Sequence, residues 1–394
     1  MYSKEMVGLG SKRSTIREIF EYGKKRAAEV GAENIFDFSI GNPSVPAPDC
    51  VNEKIKELVD SVDSTILHGY TSAQGDAGVR RILAESINRR FGMSITGDNL
   101  YITVGAAASI SICLKALAEP GDEFITFAPY FPEYKCFVEA NGCELKVISA
   151  QIEDFQINFK EFENTINKNT KAVIVNSPNN PSGVVYSEQT VIRLAKILKA
   201  KSEEYGRPIF LIADEPYREI AYDNAVVPYL PKYYDNTFVC YSYSKSLSLP
   251  GERIGYIVVP DEVADSKAAY AAVCGAGRAL GYVNAPALFQ RVIAECCEET
   301  SDISIYQKNR DMLYDALVKN GFKCVKPEGA FYLFPQSLEP DAYAFCEKAK
   351  ELDLLLVPGD DFGCPGHVRI SYCVQNEMIQ RAIPAFEKLA KMYK

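Results

Sequence analysis

Apolar positions along the chain keep two rhythms, and the place where one gives way to the other divides the sequence. Near the start, Ile16, Ile19, Phe20 and Ala27 recur at helical spacing behind Ser14, a residue suited to capping, and Gly31 closes the run. Residues 1–10 carry no comparable pattern and read as a mobile arm. A strand is expected over 35–40, followed by a loop in which Pro43, Pro46 and Pro48 fix φ and forbid helix. Asp49 then caps a helix with Val51, Ile55, Leu58, Val59 and Val62 on one stripe, and a polar loop from His68 to Gly75 leads into a helix over 77–91.

From there short β-rich runs alternate with helices. Strands are predicted over 100–104, 123–128, 171–176, 209–213, 237–241 and 254–259. Such alternation implies an α/β fold, a mostly parallel sheet with helices on both faces. Beyond Pro260 the rhythm changes. Helices are expected over 262–273, 285–298, 303–319, 342–351 and 376–393, with short strands over 322–325, 330–334, 354–357 and 368–372. The predicted organisation is an arm and helix (1–45), a large α/β domain (46–284) and a smaller α+β domain (285–394).

Charge narrows the function without naming it. The 394 residues carry 43 basic and 52 acidic side chains, a net charge of −9, with no long block of one sign. That argues against nucleic acid or an anionic membrane as partner. With no apolar run long enough to span a bilayer and no export-like N-terminus, the expected location is cytoplasmic. The 12 cysteines are scattered and read as free thiols of a reducing compartment. His68 and His367 lack the carboxylate neighbours of a metal site, so no metal is expected.

The chemistry gathers in one stretch between two predicted strands, from Tyr241 to Tyr256. It holds Lys245 among Ser242, Ser244, Ser246 and Ser248, with Arg253 after the turn Pro250-Gly251. A lysine desolvated between buried strands has a lowered pKa and becomes a nucleophile. Hydroxyls and a forked guanidinium beside it suit a phosphate. Gly105, Ala106 and Ala107 open a helix after a strand, leaving free N–H groups for an anion. Asn180 and Asp214 follow the carboxyl ends of strands, where open α/β sheets bind ligands.

Three motifs turn this chemistry into a resemblance. They are Ser242-x-x-Lys245 running on to Gly251-x-Arg253-x-Gly255, Asn176-Ser-Pro-Asn-Asn-Pro-Ser-Gly183, and Asp214-Glu-Pro-Tyr217. Together they resemble the class I/II, fold-type I aminotransferases that depend on pyridoxal 5′-phosphate (PLP), in the family's order, from about residue 35 to the C-terminus. The resemblance implies that Lys245 holds PLP as a Schiff base and later moves the substrate proton. Asp214 would pair with the pyridine nitrogen, while Asn180 and Tyr217 donate to the ring oxygen. Ser242, Arg253, Gly105, Ala106 and Ala107 would hold the phosphate, joined by Tyr70 from a partner subunit. Tyr130 would stack on the ring, Gly41 would close over the substrate, and Arg369 would grip the α-carboxylate.

The implied assembly is a homodimer with shared sites, the N-terminal helix packing on the small domain. The substrates are an amino acid and a 2-oxo acid, with aspartate or glutamate as donor. That last expectation rests on Arg278, in Gly277-Arg-Ala-Leu-Gly-Tyr-Val-Asn-Ala-Pro286, which resembles a stretch that reaches the distal carboxylate across the interface. Arg278 stands one residue further from the Tyr than the family's pattern. The alternatives are a donor with a neutral or aromatic side chain and a carbon–sulfur β-lyase of the same fold.

Overall fold

Seven strands form the central sheet, six of them where β-branched or aromatic residues run between turn signals. In the computed structural model, which describes residues 2–11 and 15–394, they are β1 (Leu100–Thr103), β2 (Glu123–Phe127), β3 (Glu144–Ile148), β4 (Thr170–Asn176), β5 (Phe210–Asp214), β6 (Thr237–Ser242) and β7 (Gly255–Val258). Their spatial order is β1-β7-β6-β5-β4-β2-β3, and only β7 runs against its neighbours. Side chains of β4 and β5 alternate between two cores. Val173, Val175, Leu211 and Ala213 enter one, whereas Ala172, Ile174 and Ile212 enter the other. Helices cover both faces, so these strands have no polar side. Each buried Val or Ile here contributes roughly 1.5–3 kcal/mol.

Strand β3 has no counterpart among the predicted elements. Glu144 and Lys146 interrupt its apolar residues because it is the sheet's edge and pairs with β2 alone. Edge strands carry such charges, and a search for apolar runs passes over them.

The second sheet is small and antiparallel: β8 (Tyr332–Leu333), β9 (Val357–Pro358) and β10 (Val368–Ser371), with β10 in the middle. The run expected as one strand over 354–357 is divided. Leu354–Leu355 pairs in parallel with Phe36–Asp37, while Val357 pairs with Arg369. Residues 322–325 form no strand. Tyr306, Leu313, Phe331, Phe345, Ile370 and Phe386 share the core of this domain.

The helix Ala287–Cys296 belongs elsewhere. Its Val292, Ile293 and Cys296 lie in the large-domain core with Leu83 and Ile87, so the change of core falls between Cys296 and Tyr306 rather than at Asn284. An apolar stripe tells that a face is buried, not against what. At the N-terminus, Ile19 of the helix Thr15–Val30 packs with Leu355, Val357 and Phe362 of the small domain. The expected cap, Ser14, lies outside the described residues. Lys4–Ser11, in the stretch expected as a mobile arm, is helical with Met6, Val7 and Leu9 exposed. Among the described residues no helix is long and apolar enough to cross a membrane.

Candidate active site

Beyond the carboxyl ends of β4, β5 and β6 lies a cavity of about 350 Å³, where an open α/β sheet binds its ligands. Lys245 occupies its floor. Ser242, the last residue of β6, caps a single helical turn, Tyr243–Ser246, by accepting from the Ser244 N–H, and that turn aims Lys245 into the cavity. Its Nζ donates to the Gly41 carbonyl at 2.7 Å. Burial lowers its pKa to about 8, and Arg369 and Arg253 push the same way. A substantial neutral fraction near pH 8 makes the amine a competent nucleophile and base.

Asp214 ends β5 fully buried, and burial pushes its carboxyl up to about 7. The Tyr134 hydroxyl donates to Oδ2 and opposes that rise, while Asn176 Nδ2 donates to the Asp214 carbonyl at 2.9 Å. Oδ1 has no hydrogen-bond partner among the described residues. An unpaired carboxylate oxygen in a dry site is costly unless a ligand cation or N–H meets it. The adjacent Glu215, equally buried, is instead paired with Arg218, which makes it structural.

One end of the cavity is built for an anion. The helix Ala106–Leu117 presents its first N–H groups there, and Ser242 Oγ and Ser244 Oγ lie 2.7 Å apart beside them. Arg253 reaches across, its Nη1 donating to the Pro250 carbonyl at 3.0 Å and lying 3.4 Å from Ser244 Oγ. Gly105 has φ of 98°, a left-handed conformation that favours glycine, and a Cβ there would push on Arg253 Nη2 at 2.7 Å.

The other end is built around a buried guanidinium. Arg369, in the middle of the small sheet, is 3% exposed. Its Nη1 donates to Asn180 Oδ1 at 3.1 Å and its Nη2 to the Ser39 carbonyl at 2.5 Å. Nε has no partner among the described residues. Asn180 is positioned in turn by its own N–H, which donates to Asn176 Oδ1 at 2.7 Å. Tyr217 also faces this end, 2.9 Å from the hydroxyl of Tyr332. Sequence reasoning passed over Tyr332, which sits two residues past Gly329-Ala330 in a run that reads simply as core.

Of the expected residues, Tyr130 stands differently. Phe131 lines the cavity wall, whereas Tyr130 turns away from it: the Tyr130 N–H donates to the Phe362 carbonyl at 3.0 Å and its ring packs against Tyr134. Both residues lie past the end of β2, where no strand alternation fixes which ring faces the cavity. Tyr70 lies outside the cavity and is 96% exposed. Arg278 is exposed in the last turn of the helix Ser266–Ala279. Gly41 lines the cavity, and a Cβ on it would lie 2.0 Å from the Tyr332 hydroxyl oxygen, so only glycine allows that approach.

A family model described as aminotransferase class I and II matches residues 33–386. The chain belongs to the class I and II aminotransferases. The aspartate aminotransferase of Thermotoga maritima is 28% identical over 92% of this chain and 93% of its own length. The aspartate/prephenate aminotransferase of Thermus thermophilus is 29% identical, covering 89% of each. Among solved structures, an aminotransferase from Eubacterium rectale is 62% identical with a TM-score of 0.98, over 100% of this chain and 99% of that one. The Thermus thermophilus aspartate aminotransferase with maleate is 25% identical with a TM-score of 0.86, over 99% and 100%. The fold is therefore fold type I, the enzyme is a PLP-dependent aminotransferase, and its substrates are an amino acid and a 2-oxo acid.

The residues present fit the cofactor. The unpaired Asp214 Oδ1 matches a protonated ring nitrogen, and the glycine-lined helix start with Ser242, Ser244 and Arg253 matches a phosphate.

Proposed function

We propose that this aminotransferase takes its amino group from aspartate or glutamate, and that it works as a homodimer. The observation that carries the site assignment is that three groups face one cavity: a lysine with a lowered pKa, an unpaired carboxylate oxygen and an unpaired guanidinium nitrogen. PLP, when bound, supplies the electron sink for the pair released at the donor's Cα. Lys245 would anchor it, and the Lys245 amine would take the Cα proton and later return one. Asp214 keeps a ring nitrogen charged, and Asn180 and Tyr217 donate to a ring oxygen. Ser242, Ser244, Arg253 and the backbone of Gly105, Ala106 and Ala107 hold a phosphate. Phe131 takes the stacking wall. Arg369 fixes the donor's α-carboxylate and leaves Nε free to complete a forked pair.

Support for a dimer comes from the large-domain surface. Ile66, Tyr70, Leu280, Tyr282 and Val283 are exposed at 38–96%, and Asn284 ties the two segments together by donating to the Thr71 carbonyl at 2.7 Å. A second copy seated there would bring Tyr70 to the anion-binding end of its neighbour. Light scattering should therefore report a dimer or a multiple of it, and an active monomer would end this reading.

The dicarboxylic donor is supported by relatives named for aspartate and by the maleate in one of them. A second reading has its own observation: Ile16, Ile40 and Phe131 make part of the cavity wall apolar, which suits a neutral or aromatic donor. Steady-state kcat/KM for aspartate, glutamate, alanine and phenylalanine with 2-oxoglutarate decides between them. Aspartate or glutamate should lead, and Arg278→Leu should lower the aspartate value while sparing phenylalanine, because an unpaired desolvated arginine penalises neutral donors. Phenylalanine leading in the unaltered enzyme would install the second reading.

A further inference from the structure

Tyr332 stands where three parts of the site meet. It is 2% exposed on β8, paired with Ser371 of β10, so its ring lies beside the strand that carries Arg369. The Arg369 guanidinium carbon sits 4.8 Å from the centre of that ring. Its hydroxyl is 2.9 Å from the Tyr217 hydroxyl, and it approaches Gly41 so closely that a Cβ there would collide. Gly41 in turn accepts from Lys245 Nζ at 2.7 Å.

Two phenols in contact share one hydrogen bond, and its direction matters. Each hydroxyl has a single proton. If Tyr217 donated to Tyr332, it would have none left for a ligand in the cavity. If Tyr332 donates, the Tyr217 proton is free to point into the cavity, and accepting a bond makes it a stronger donor. The cation against Tyr332 decides between these. The Arg369 guanidinium lies against the ring of Tyr332, and a cation on that ring makes its phenol more acidic and its hydroxyl the better donor. The more acidic phenol donates.

We infer that Tyr332 is a positioning residue of the transamination site: its hydroxyl donates to Tyr217 and so directs the Tyr217 proton into the cavity, while its ring face seats Arg369. The inference rests on the assignment of Tyr217 as a donor to the cofactor. It makes Tyr332 the link between the carboxylate grip and the polarisation of the cofactor.

The test separates hydroxyl from ring. Tyr332→Phe keeps the ring and removes the proton. In the holoenzyme without substrate, the pH midpoint of the visible absorbance should rise by about half a unit or more, because the donation that favours the unprotonated chromophore weakens. The kcat should fall on the order of threefold to tenfold, with KM for the donor little changed. Tyr332→Leu removes the ring as well and should also raise KM for every amino donor.

In a Tyr217→Phe background, adding Tyr332→Phe should shift the midpoint no further, since the proton it directs is gone. This comparison is internal to one fold, so a loss of stability common to both proteins does not mimic it. A Tyr332→Phe holoenzyme with full PLP content and an unmoved midpoint overturns the inference, and so does an additive shift in the double variant. If instead Tyr217→Phe alone leaves the midpoint unmoved, the assignment of Tyr217 fails, and the role of Tyr332 fails with it.

Discussion

The two ends of the cavity are built by opposite means. The anion-binding end is local and open: Ser242, Ser244 and Arg253 come from one stretch of chain, and Arg253 and Ala107 remain exposed. The end around Arg369 is long-range and closed. Arg369 bonds to residues 189 and 330 positions away, Tyr217 meets Tyr332 across 115 positions, and all four side chains there are buried. Solvent screens a cation at the open end, so its attractions are individually small. At the closed end nothing screens them, and each charge-assisted hydrogen bond counts for about 1.5–3 kcal/mol. The turn that carries Ser242, Ser244 and Lys245 can therefore form locally, while the end around Arg369 exists only once the small domain has packed on the large one.

The largest effect removes the group that serves both ends. Lys245→Ala should lower turnover by at least the order of 10²–10⁴ ascribed to a positioned acid–base group. Borohydride should no longer fix PLP to the chain, and normal turnover would refute the assignment.

Next comes the closed end. Arg369→Lys keeps the charge and loses the fork, so kcat/KM should fall about tenfold to a hundredfold for every amino donor, with PLP retention unchanged. The open end should respond the other way round. Arg253→Lys and Tyr70→Phe should speed PLP loss by a few-fold, more at high salt, while leaving donor KM alone. A rise in donor KM for those variants, without PLP loss, would erase the distinction between the ends.

Between the ends, the lysine sets a pH dependence. Its lowered pKa means that the neutral amine accumulates as pH rises through about 8 rather than 10.5. Stopped-flow binding of PLP to the apoenzyme should accelerate up to about pH 8 and then level off. Acceleration that continues to pH 10 would place Lys245 in solvent.

The smallest effect concerns Asp214. Tyr134→Phe removes a hydrogen bond that holds its carboxyl down, so a larger share is protonated at pH 7. PLP should be held a few-fold more weakly at pH 7 and equally well at pH 9, where the carboxyl is ionised in both proteins. Equal dialysis losses at both pH values would show that Tyr134 only fills space.

Much of this enzyme was legible in the sequence because the relevant information is local. The parallel sheet follows from β-rich runs alternating with helices, and the lysine loop follows from residues 242–255, whose spacing a turn can satisfy without help from the rest of the chain. Asn180 and Asp214 are legible in the same way, as polar groups at or just beyond the ends of buried strands. Other features depend on what a side chain meets, and the tertiary structure alone decided them. Phe131 rather than Tyr130 faces the cavity, and the Tyr130 ring packs instead against Tyr134 and against Gly363 from far along the chain. The helix Ala287–Cys296 joins the large core because its stripe fits beside Leu83 and Ile87. Tyr332 becomes part of the site only because β8 lies against β10 and so brings its ring to Arg369 and its hydroxyl to Tyr217. Periodicity records that a residue is buried. Which partner it is buried against is fixed by the packing of distant segments, and in this protein that choice makes the substrate's end of the site.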